Sequence, residues 1–271
     1  MMYLLSILVS LHLFHTAWAS LDSTASHLSA SSSALGGAGR AAVGPGDVST
    51  LNPASLVYLF GFNFYTRYAP GETAISISDN TMETVIPAAV YVYQKLDFKN
   101  FKLSFAEPFS KRISLGMSLG YSQARVGEAM FNLANLDLGM TYLVSQNKAI
   151  GVVLYDLNKS PDNWPLENRV EPKIGVGYHY VYKGFLRARV DYLSEGRFKL
   201  NEGSLMFGVE NYLNRWTLLR LGYQKNSLNI NDLMTIGMGF DLPKFKINYA
   251  YLSDSKDYTQ VRHSVDLMVP F

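Results

Sequence analysis

The chain has 271 residues, of which 48% are hydrophobic, 13% aromatic and 17% charged, and it contains no cysteine. The charged fraction lies below the usual value of about 25%. The lack of cysteine excludes disulfide scaffolds, thiolate metal sites and cysteine nucleophiles. The net charge of +2 is too small to indicate nucleic-acid binding. With only five histidines, the chain lacks the side chains that most metal and acid–base enzymes use, so we predict no enzymatic activity and no cofactor.

The first twenty residues contain no acidic or basic side chain. The apolar run Tyr3–Phe14 is too short to cross a bilayer as a helix. Ala17-Trp18-Ala19 has the small-x-small pattern of a signal-peptidase site. We therefore predict that residues 1–19 are a cleaved signal peptide and that the mature chain belongs to the bacterial envelope. The alternative is an N-terminal anchor or a buried helix.

After Ser55 the sequence alternates between apolar and small or polar residues with a period of two, most clearly in residues 112–121, 232–242 and 261–271. Such alternation is typical of β-strands with one apolar face. The clearest strands are predicted at 113–121, 136–142, 174–182, 186–192, 205–213, 217–223, 234–242, 245–251 and 261–271. Ten strands are expected after residue 112, and four candidates precede it at 56–68, 72–79, 85–96 and 99–107.

The apolar faces of these nine strands carry no Asp, Glu, Lys or Arg. A soluble β-sandwich would also exclude charge from one face, so the positions of the aromatic residues are needed to choose between the two classes. Aromatic residues end the apolar faces of both up and down strands, which predicts the two girdles of a transmembrane β-barrel. One girdle comprises Tyr121, Tyr192, Tyr223 and Tyr251, and the other Tyr142, Tyr182, Phe240 and Phe271.

The predicted connections alternate in length. Short turns are expected at 145–148, 183–184, 213–215 and 243–244, and longer loops at 123–132, 159–170, 195–203, 226–231 and 253–260. This asymmetry also favours an outer-membrane barrel. We predict an all-β, antiparallel transmembrane barrel of about fourteen strands over residues 56–271. Twelve strands is the alternative, with 72–96 as an irregular hairpin or loop.

The opposite face of the strands is expected to line the lumen with charges of both signs among Gly and Ser. This predicted polar network comprises Asp137, Lys173, His179, Arg187, Arg189, Asp191, Glu210, Arg220, Asp241, Lys246, Arg262 and Asp266.

A barrel of this width cannot be filled by its own side chains, because about eight strands suffice for a packed interior. Residues 20–55 are rich in Ser, Ala and Gly and directly precede the first predicted strand. We predict that they fold inside the lumen as a plug. Arg40 and Asp47 are expected to pair with inward charges such as Asp137 or Arg189. The alternative is a mobile tail.

A motif within this segment resembles the N-terminal signature of the FadL/PorV superfamily of outer-membrane barrels. The residues that carry the resemblance are Gly36, Gly37, Ala38, Asp47, Asn52, Pro53, Ala54 and Leu56. The acidic pair of the signature is reduced to Gly46-Asp47, and the chain is short for the family. The resemblance implies a barrel located in the outer membrane.

The transporter branch of the superfamily implies passive uptake of small hydrophobic compounds or fatty acids, with Phe185, Trp216 and Leu252 as candidate lining residues. A second hypothesis is a PorV-like barrel that binds a partner, such as a secretion-system protein, through 123–132 and 159–170. A general porin is a third, and a hydrolase using His263 is a fourth. Val265, Leu267, Val269 and Phe271 are expected to form the signal read by the barrel-assembly machinery. Outer-membrane lipid is the other expected partner.

Overall fold

The computed structural model describes residues 28–81, 86–161, 170–196, 198–227 and 232–271. The predicted signal peptide, the start of the predicted plug and most of the 159–170 loop, including Trp164, lie outside these residues. Within the described ranges, no helix is long and apolar enough to cross a membrane.

The described residues form a closed antiparallel barrel of fourteen strands, which confirms the predicted fold class and excludes the twelve-strand alternative. The strands are β1 (Gly61–Ala69), β2 (Glu72–Asn80), β3 (Ala88–Lys95), β4 (Phe98–Pro108), β5 (Ile113–Val126), β6 (Ala129–Ser145), β7 (Lys148–Tyr155), β8 (Lys173–Tyr182), β9 (Leu186–Glu195), β10 (Lys199–Tyr212), β11 (Thr217–Asn226), β12 (Leu233–Asp241), β13 (Lys246–Asp254) and β14 (Val261–Pro270).

The barrel closes where β1 pairs with β14. Thr66 lies opposite Ile75 of β2 on one side and opposite Leu267 of β14 on the other. At the seam, the Phe271 backbone N–H donates to the Phe62 carbonyl at 2.8 Å, and the two rings meet edge to face. Closure leaves no free sheet edge, so every strand pairs on both sides.

The two faces of the wall follow the predicted alternation. In β5, Leu115, Met117, Leu119 and Tyr121 are exposed on the outside, whereas Ser114 and Ser118 are buried inside. We call the end of the barrel where β1 begins and β14 ends the terminal end, and the other the distal end. Because alternate strands run in opposite directions, the Tyr121 girdle lies towards the distal end and the Phe271 girdle at the terminal end.

The predicted asymmetry of the connections is wrong for the first half of the barrel. At the distal end, β1–β2, β3–β4 and β5–β6 are joined by two-residue turns. The predicted loop 123–132 is therefore the tip of a long hairpin, in which Gly127 adopts the positive φ of +59° that tight hairpin turns favour. The predicted loop 195–203 is shorter as well, because β10 already begins at Lys199.

Residues 28–58, which we call the plug, precede the barrel. They contain one turn of helix, α1 (Ala30–Ser33), and a 3₁₀ helix, Pro53–Tyr58. The first strand was predicted from residue 56 but begins at Gly61, because the chain is still helical where the prediction started a strand. Leu56 is fully buried in that helix.

Candidate functional site

The plug lies inside the barrel and follows the wall in sequence order. Its helix α1 contacts β12, β13 and β14, and its 3₁₀ helix contacts β4, β5 and β6. Along the way it meets inward-facing glycines of β12, β10 and β8. Ala34 packs on Gly237, Leu35 on Gly208 and Arg40 on Gly177.

These wall glycines provide space that no other residue would leave. A Cβ at Gly116 would lie 2.6 Å from the Pro53 carbonyl carbon, and one at Gly139 would lie 2.9 Å from Pro53 Cδ. Both distances are shorter than carbon–carbon contact allows. The alternation predicted only an inner face of small residues. Glycine at inward positions of seven of the eight strands β5–β12, all but β9, is the signal that would have located the track of the plug. The glycines in this track are Gly116, Gly139, Gly151, Gly175, Gly177, Gly208, Gly222 and Gly237.

Asn52 anchors the plug shortly before the chain enters β1. Its side chain is fully buried, and its Oδ1 accepts a hydrogen bond from the Ala54 backbone N–H at 3.1 Å, which caps the 3₁₀ helix. Its Nδ2 donates to the Arg40 carbonyl at 2.8 Å and to Thr141 Oγ1 on β6 at 3.0 Å. Asn52 therefore joins two parts of the plug to the wall.

Arg40 pairs with Asp191 of β9, not with Asp137 as expected. Asp191 Oδ2 accepts hydrogen bonds from the backbone N–H groups of Gly39 and Arg40, both at 2.8 Å, and from Arg40 Nη1 at 3.1 Å. Both side chains are buried, with exposures of 1% and 0%. The predicted pairing is wrong because the register of the strands and the depth of the plug in the lumen decide which inward charge lies next to Arg40.

Asp47 is satisfied within the plug and does not pair with Arg189. Its carboxylate accepts hydrogen bonds from the Ser29 N–H at 2.8 Å and from the Ser29 hydroxyl. Burial raises the pKa of Asp47, and hydrogen bonds from Ser29 and Ser32 lower it by a smaller amount. Asp47 therefore holds the start of the plug to its middle. Gly36 and Gly37, also from the signature, both have positive φ and turn the chain after α1.

The predicted polar network lines the lumen, and most of its members form ion pairs. Glu210 bridges Arg187 at 2.9 Å and Arg220 at 2.6 Å. Several partners had not been predicted, because pairing depends on register. The further pairs are Lys173 with Glu195, Lys246 with Asp241, Asp137 with Lys102, and Arg262 with Glu72, while Asp266 accepts a hydrogen bond from Asn248. Asp156 directly follows β7 and lies near Asp137. Burial raises the pKa of Asp156 to about 6, and the negative charge of Asp137 contributes a smaller part of this increase.

Apolar and aromatic side chains also line part of the lumen, between β2 and β6, next to the ion pairs of Glu72 and Lys102. Towards the distal end, Tyr93, Phe98, Ala124, Phe131 and Leu133 belong to two neighbouring clusters that share Phe98, which we call the distal cluster. Below it, plug residues pack against β3 and β4 in what we call the plug core. The plug core comprises Leu28, Val43, Val48, Leu51, Leu56, Ala89 and Ala106.

The inner face of β3 joins the two regions. Its successive inward residues are Tyr93, Tyr91 and Ala89, all at most 5% exposed, and Ala89 belongs to the plug core. Opposite Ala89 on β4 lies Ser104, whose hydroxyl donates to plug Ser49 Oγ at 2.8 Å. Aromatic and apolar side chains therefore follow one another along β3 from the distal cluster to the plug core. We call this row the apolar path, and the Glu72–Lys95 ion pair lies beside its distal part.

At the terminal end lies a cavity of about 380 Å³, which we call the terminal cavity. Plug residues Ala41–Gly44, Ser55 and Tyr58 form one side of it. Wall residues complete it, among them Leu143, Ala149, His179, Val181, Arg187 and Arg189. Val43 belongs to both the plug core and this cavity, so the apolar path reaches the terminal cavity, whose wall also carries polar and basic residues.

Of the three predicted lining residues, only Leu252 faces the lumen, where it is 1% exposed beside Ala30 and Ala34. Phe185 and Trp216 lie in terminal turns, because the strands that flank them end before these positions. His263 is exposed on the outer face, as predicted, and its Nδ1 lies 2.6 Å from Tyr249 Oη. Among the described residues, no hydrogen bond joins His263 to a serine.

Comparison with solved structures identifies the class of fold. The Ralstonia pickettii toluene transporter TbuX superposes with a TM-score of 0.67 over 90% of this chain and 97% of that one, at 12% identity. The CymD monoaromatic hydrocarbon channel gives 0.63 over 94% and 99%, also at 12% identity. A Pseudomonas aeruginosa FadL homologue gives a TM-score of 0.65 over 90% of this chain and 98% of that one, at 7% identity. No protein-family model and no curated protein sequence matches the chain.

The fold and the lumen together define a closed fourteen-stranded barrel filled by its own N-terminal segment. More particularly, the chain has the FadL-like barrel fold, as the resemblance of its N-terminal motif implied. At these identities the likeness concerns the fold alone, so the function has to be argued from the lumen.

Proposed function

We propose that this protein is an outer-membrane channel through which small hydrophobic compounds pass passively. The observation that carries this proposal is the apolar path of the lumen, which runs from the distal cluster along β3 and the plug core to the terminal cavity. Hydrocarbon channels and transporters with this fold support the same substrate class. The proposed orientation places the distal end at the cell exterior and the terminal end in the periplasm.

The plug sets the selectivity of the proposed channel. The charged part of the lumen is closed by plug contacts such as Arg40–Asp191 and by ion pairs such as Arg220–Glu210. An ion would have to break these buried pairs or lose its hydration along the apolar path, and both are costly. An apolar solute needs only to displace apolar side chains. We therefore expect low ion conductance together with passage of compounds such as toluene.

The test is uptake of radiolabelled toluene by Gram-negative cells that lack a channel of this kind and produce this protein in the outer membrane. We expect faster uptake than in cells with an empty vector, unaffected by removal of the proton gradient because no energy source is needed. Liposome swelling with a polar sugar of similar size, measured on the purified barrel, is expected to remain near background.

The alternatives give different results in the same assays. Rapid swelling with the sugar would indicate a general porin. No increase in toluene uptake by a correctly inserted barrel would contradict the proposal and would favour a partner-binding barrel of the PorV type. Fatty acids are tested in the same cells with labelled octanoate.

A further inference from the structure

The hairpins at the terminal end distribute charge unevenly around the barrel. Four neighbouring hairpins, β6–β7, β8–β9, β10–β11 and β12–β13, each carry one exposed basic residue in the turn or next to it. We call these four residues the basic arc, and they are Lys148, Lys183, Arg215 and Lys244. The turns themselves contain no Asp or Glu, and they span 146–147, 183–185, 213–216 and 242–245. One part of the terminal rim is therefore strongly basic.

The positive charge of the basic arc is not neutralised by the rest of the barrel. Among the described residues, none forms an ion pair with any of the four members of the arc. Asp241, at the end of β12, already pairs with Lys246 at 2.7 Å. The exposed acids that the structure describes at the terminal end, Asp79 and Glu107, lie on β2 and β4, and Glu83 lies outside the described residues. The arc therefore presents uncompensated positive charge to its surroundings.

Aromatic rings accompany the basic arc. Tyr182 belongs to the outward-facing terminal girdle, and Tyr180, two residues before it, lies on the same face of β8. The exposed ring of Phe245 directly follows Lys244. Each of the other three cations lies over a ring, at 4.6–5.8 Å from the ring centre, and the pairs are Lys148 with Tyr180, Lys183 with Tyr182 and Arg215 with Trp216. The arc therefore lies beside rings of the kind that occupy the headgroup level of a bilayer.

We infer that the basic arc is a binding surface for the anionic headgroups of glycerophospholipids in the leaflet around the terminal end. Lys and Arg close to an anionic membrane surface are attracted to it. The outward rings favour lipid over a protein partner, because they place the cations at the depth of the headgroups. Neighbouring hairpins are two strands, about 10 Å, apart, so the four cations can contact separate headgroups. The inference needs a barrel in a membrane but does not depend on transport through its lumen.

The test is quenching of Trp216 fluorescence by brominated lipids, because Trp216 lies within the arc. Trp18→Phe with Trp164→Phe leaves Trp216 as the only tryptophan of the full-length chain. This protein is reconstituted in phosphatidylcholine vesicles that contain a small fraction of brominated phosphatidylglycerol or, in parallel, the same fraction of brominated phosphatidylcholine. We expect an association constant about threefold or more higher for phosphatidylglycerol. The preference should disappear in 1 M NaCl, where the Debye length is about 3 Å.

A fourfold variant tests whether the arc itself carries the preference. Glutamine at Lys148, Lys183, Arg215 and Lys244 should make the two lipids quench equally. The matched control removes the same charge from exposed positions at the distal end and should keep the preference. Its four changes are Lys99→Gln, Arg125→Gln, Lys225→Gln and Lys256→Gln. Because the two lipids are compared within each variant, a change of Trp216 emission caused by the loss of Arg215 cancels.

Three results would overturn the inference. Equal quenching of the parent by the two lipids would contradict it and would favour an acidic protein partner for the arc. A preference that persists in 1 M NaCl would contradict its electrostatic basis, and this measurement decides the question if the arc variant does not assemble. Equal behaviour of the two fourfold variants would assign the preference to overall charge. Because the assay measures lipid contact alone, a lipid preference without toluene uptake would refute the proposed function and leave this inference standing.

Discussion

Replacing Asp191 with alanine should release the plug while leaving the barrel intact. In the folded protein, Asp191 Oδ2 accepts three hydrogen bonds, all from Gly39 and Arg40 of the plug. Asp191→Ala would leave the buried Arg40 guanidinium without its counter-charge and two plug N–H groups without an acceptor. The fourteen-strand hydrogen-bond network does not depend on this side chain.

The expected cost follows from the burial of the pair. Breaking a buried ion pair by removing one partner typically costs about 3–5 kcal/mol. At about 1.4 kcal/mol per factor of ten, the equilibrium between docked and undocked plug should shift about a hundredfold to several thousandfold. Only plug docking bears this cost, so the expected result is a barrel of normal heat-modifiability with frequent ion-conducting openings.

The assay is single-barrel conductance in planar bilayers. Asp241→Ala is the matched control, because Asp241 pairs with Lys246 at the rim at 2.7 Å, where both side chains are at least a quarter exposed. Such a pair contributes about 0–1 kcal/mol, so this variant should remain closed. Asp191→Leu combined with Arg40→Met should restore closure, since apolar replacement of a buried pair is often neutral. The reasoning is wrong if Asp191→Ala conducts no more than Asp241→Ala.

Three further predictions concern the wall. Gly116→Ala should weaken plug docking by about 1–3 kcal/mol and raise conductance, because its Cβ would overlap Pro53. Gly120→Ala on the same strand is the control and should leave conductance unchanged, because its Cβ would meet nothing within 3.5 Å. Equal effects of the two variants would contradict the glycine track. Met238→Arg, on the exposed outer face of β12, should lower the free energy of unfolding by about 2–4 kcal/mol if the residue lies near the bilayer midplane. The measurement is urea titration in lipid vesicles, and a loss below about 1 kcal/mol would argue against lipid contact. Phe271→Ala should reduce the assembled fraction on heat-modifiability gels, because Phe271 closes the seam against Phe62 and belongs to the predicted assembly signal. Unchanged assembly would show that Phe271 is not part of that signal.

Strand periodicity made most of the barrel predictable. Alternation in segments such as 112–121 assigned each residue to a face, and all fourteen strands were anticipated, including the two with the weakest pattern, β2 and β3. The end of the plug was less predictable. Residues 56–60 have the composition of a strand, but Pro53 and the Asn52 cap start a 3₁₀ helix there instead. Local capping overrides strand propensity at this point.

The contacts between the plug and the wall could not be predicted from the sequence. The alternation suggests that polar substitutions at inner-face Gly237 or Thr235 cost little. In the structure, a Cβ at Gly237 would lie 2.6 Å from the Tyr249 carbonyl oxygen, and Thr235 Oγ1 donates to the Ala34 carbonyl and accepts from the Gly36 N–H. The partner of Arg40 likewise depends on how deep the plug lies. These facts follow from register and three-dimensional packing, which a period of two does not encode.

The claim that solutes travel along the plug core is tested most directly by tethering the plug. Ser49 and Ser104 are in hydrogen-bond contact beside Ala89, and the chain has no cysteine to interfere, so Ser49→Cys with Ser104→Cys offers a reversible link. The measurement is toluene uptake by cells carrying this double variant, oxidised and then reduced, with Ser49→Cys alone as control. The account predicts slow uptake when the disulfide is closed and recovery to the rate of the control on reduction. Equal uptake in both redox states, with the link confirmed by mass spectrometry, would contradict it.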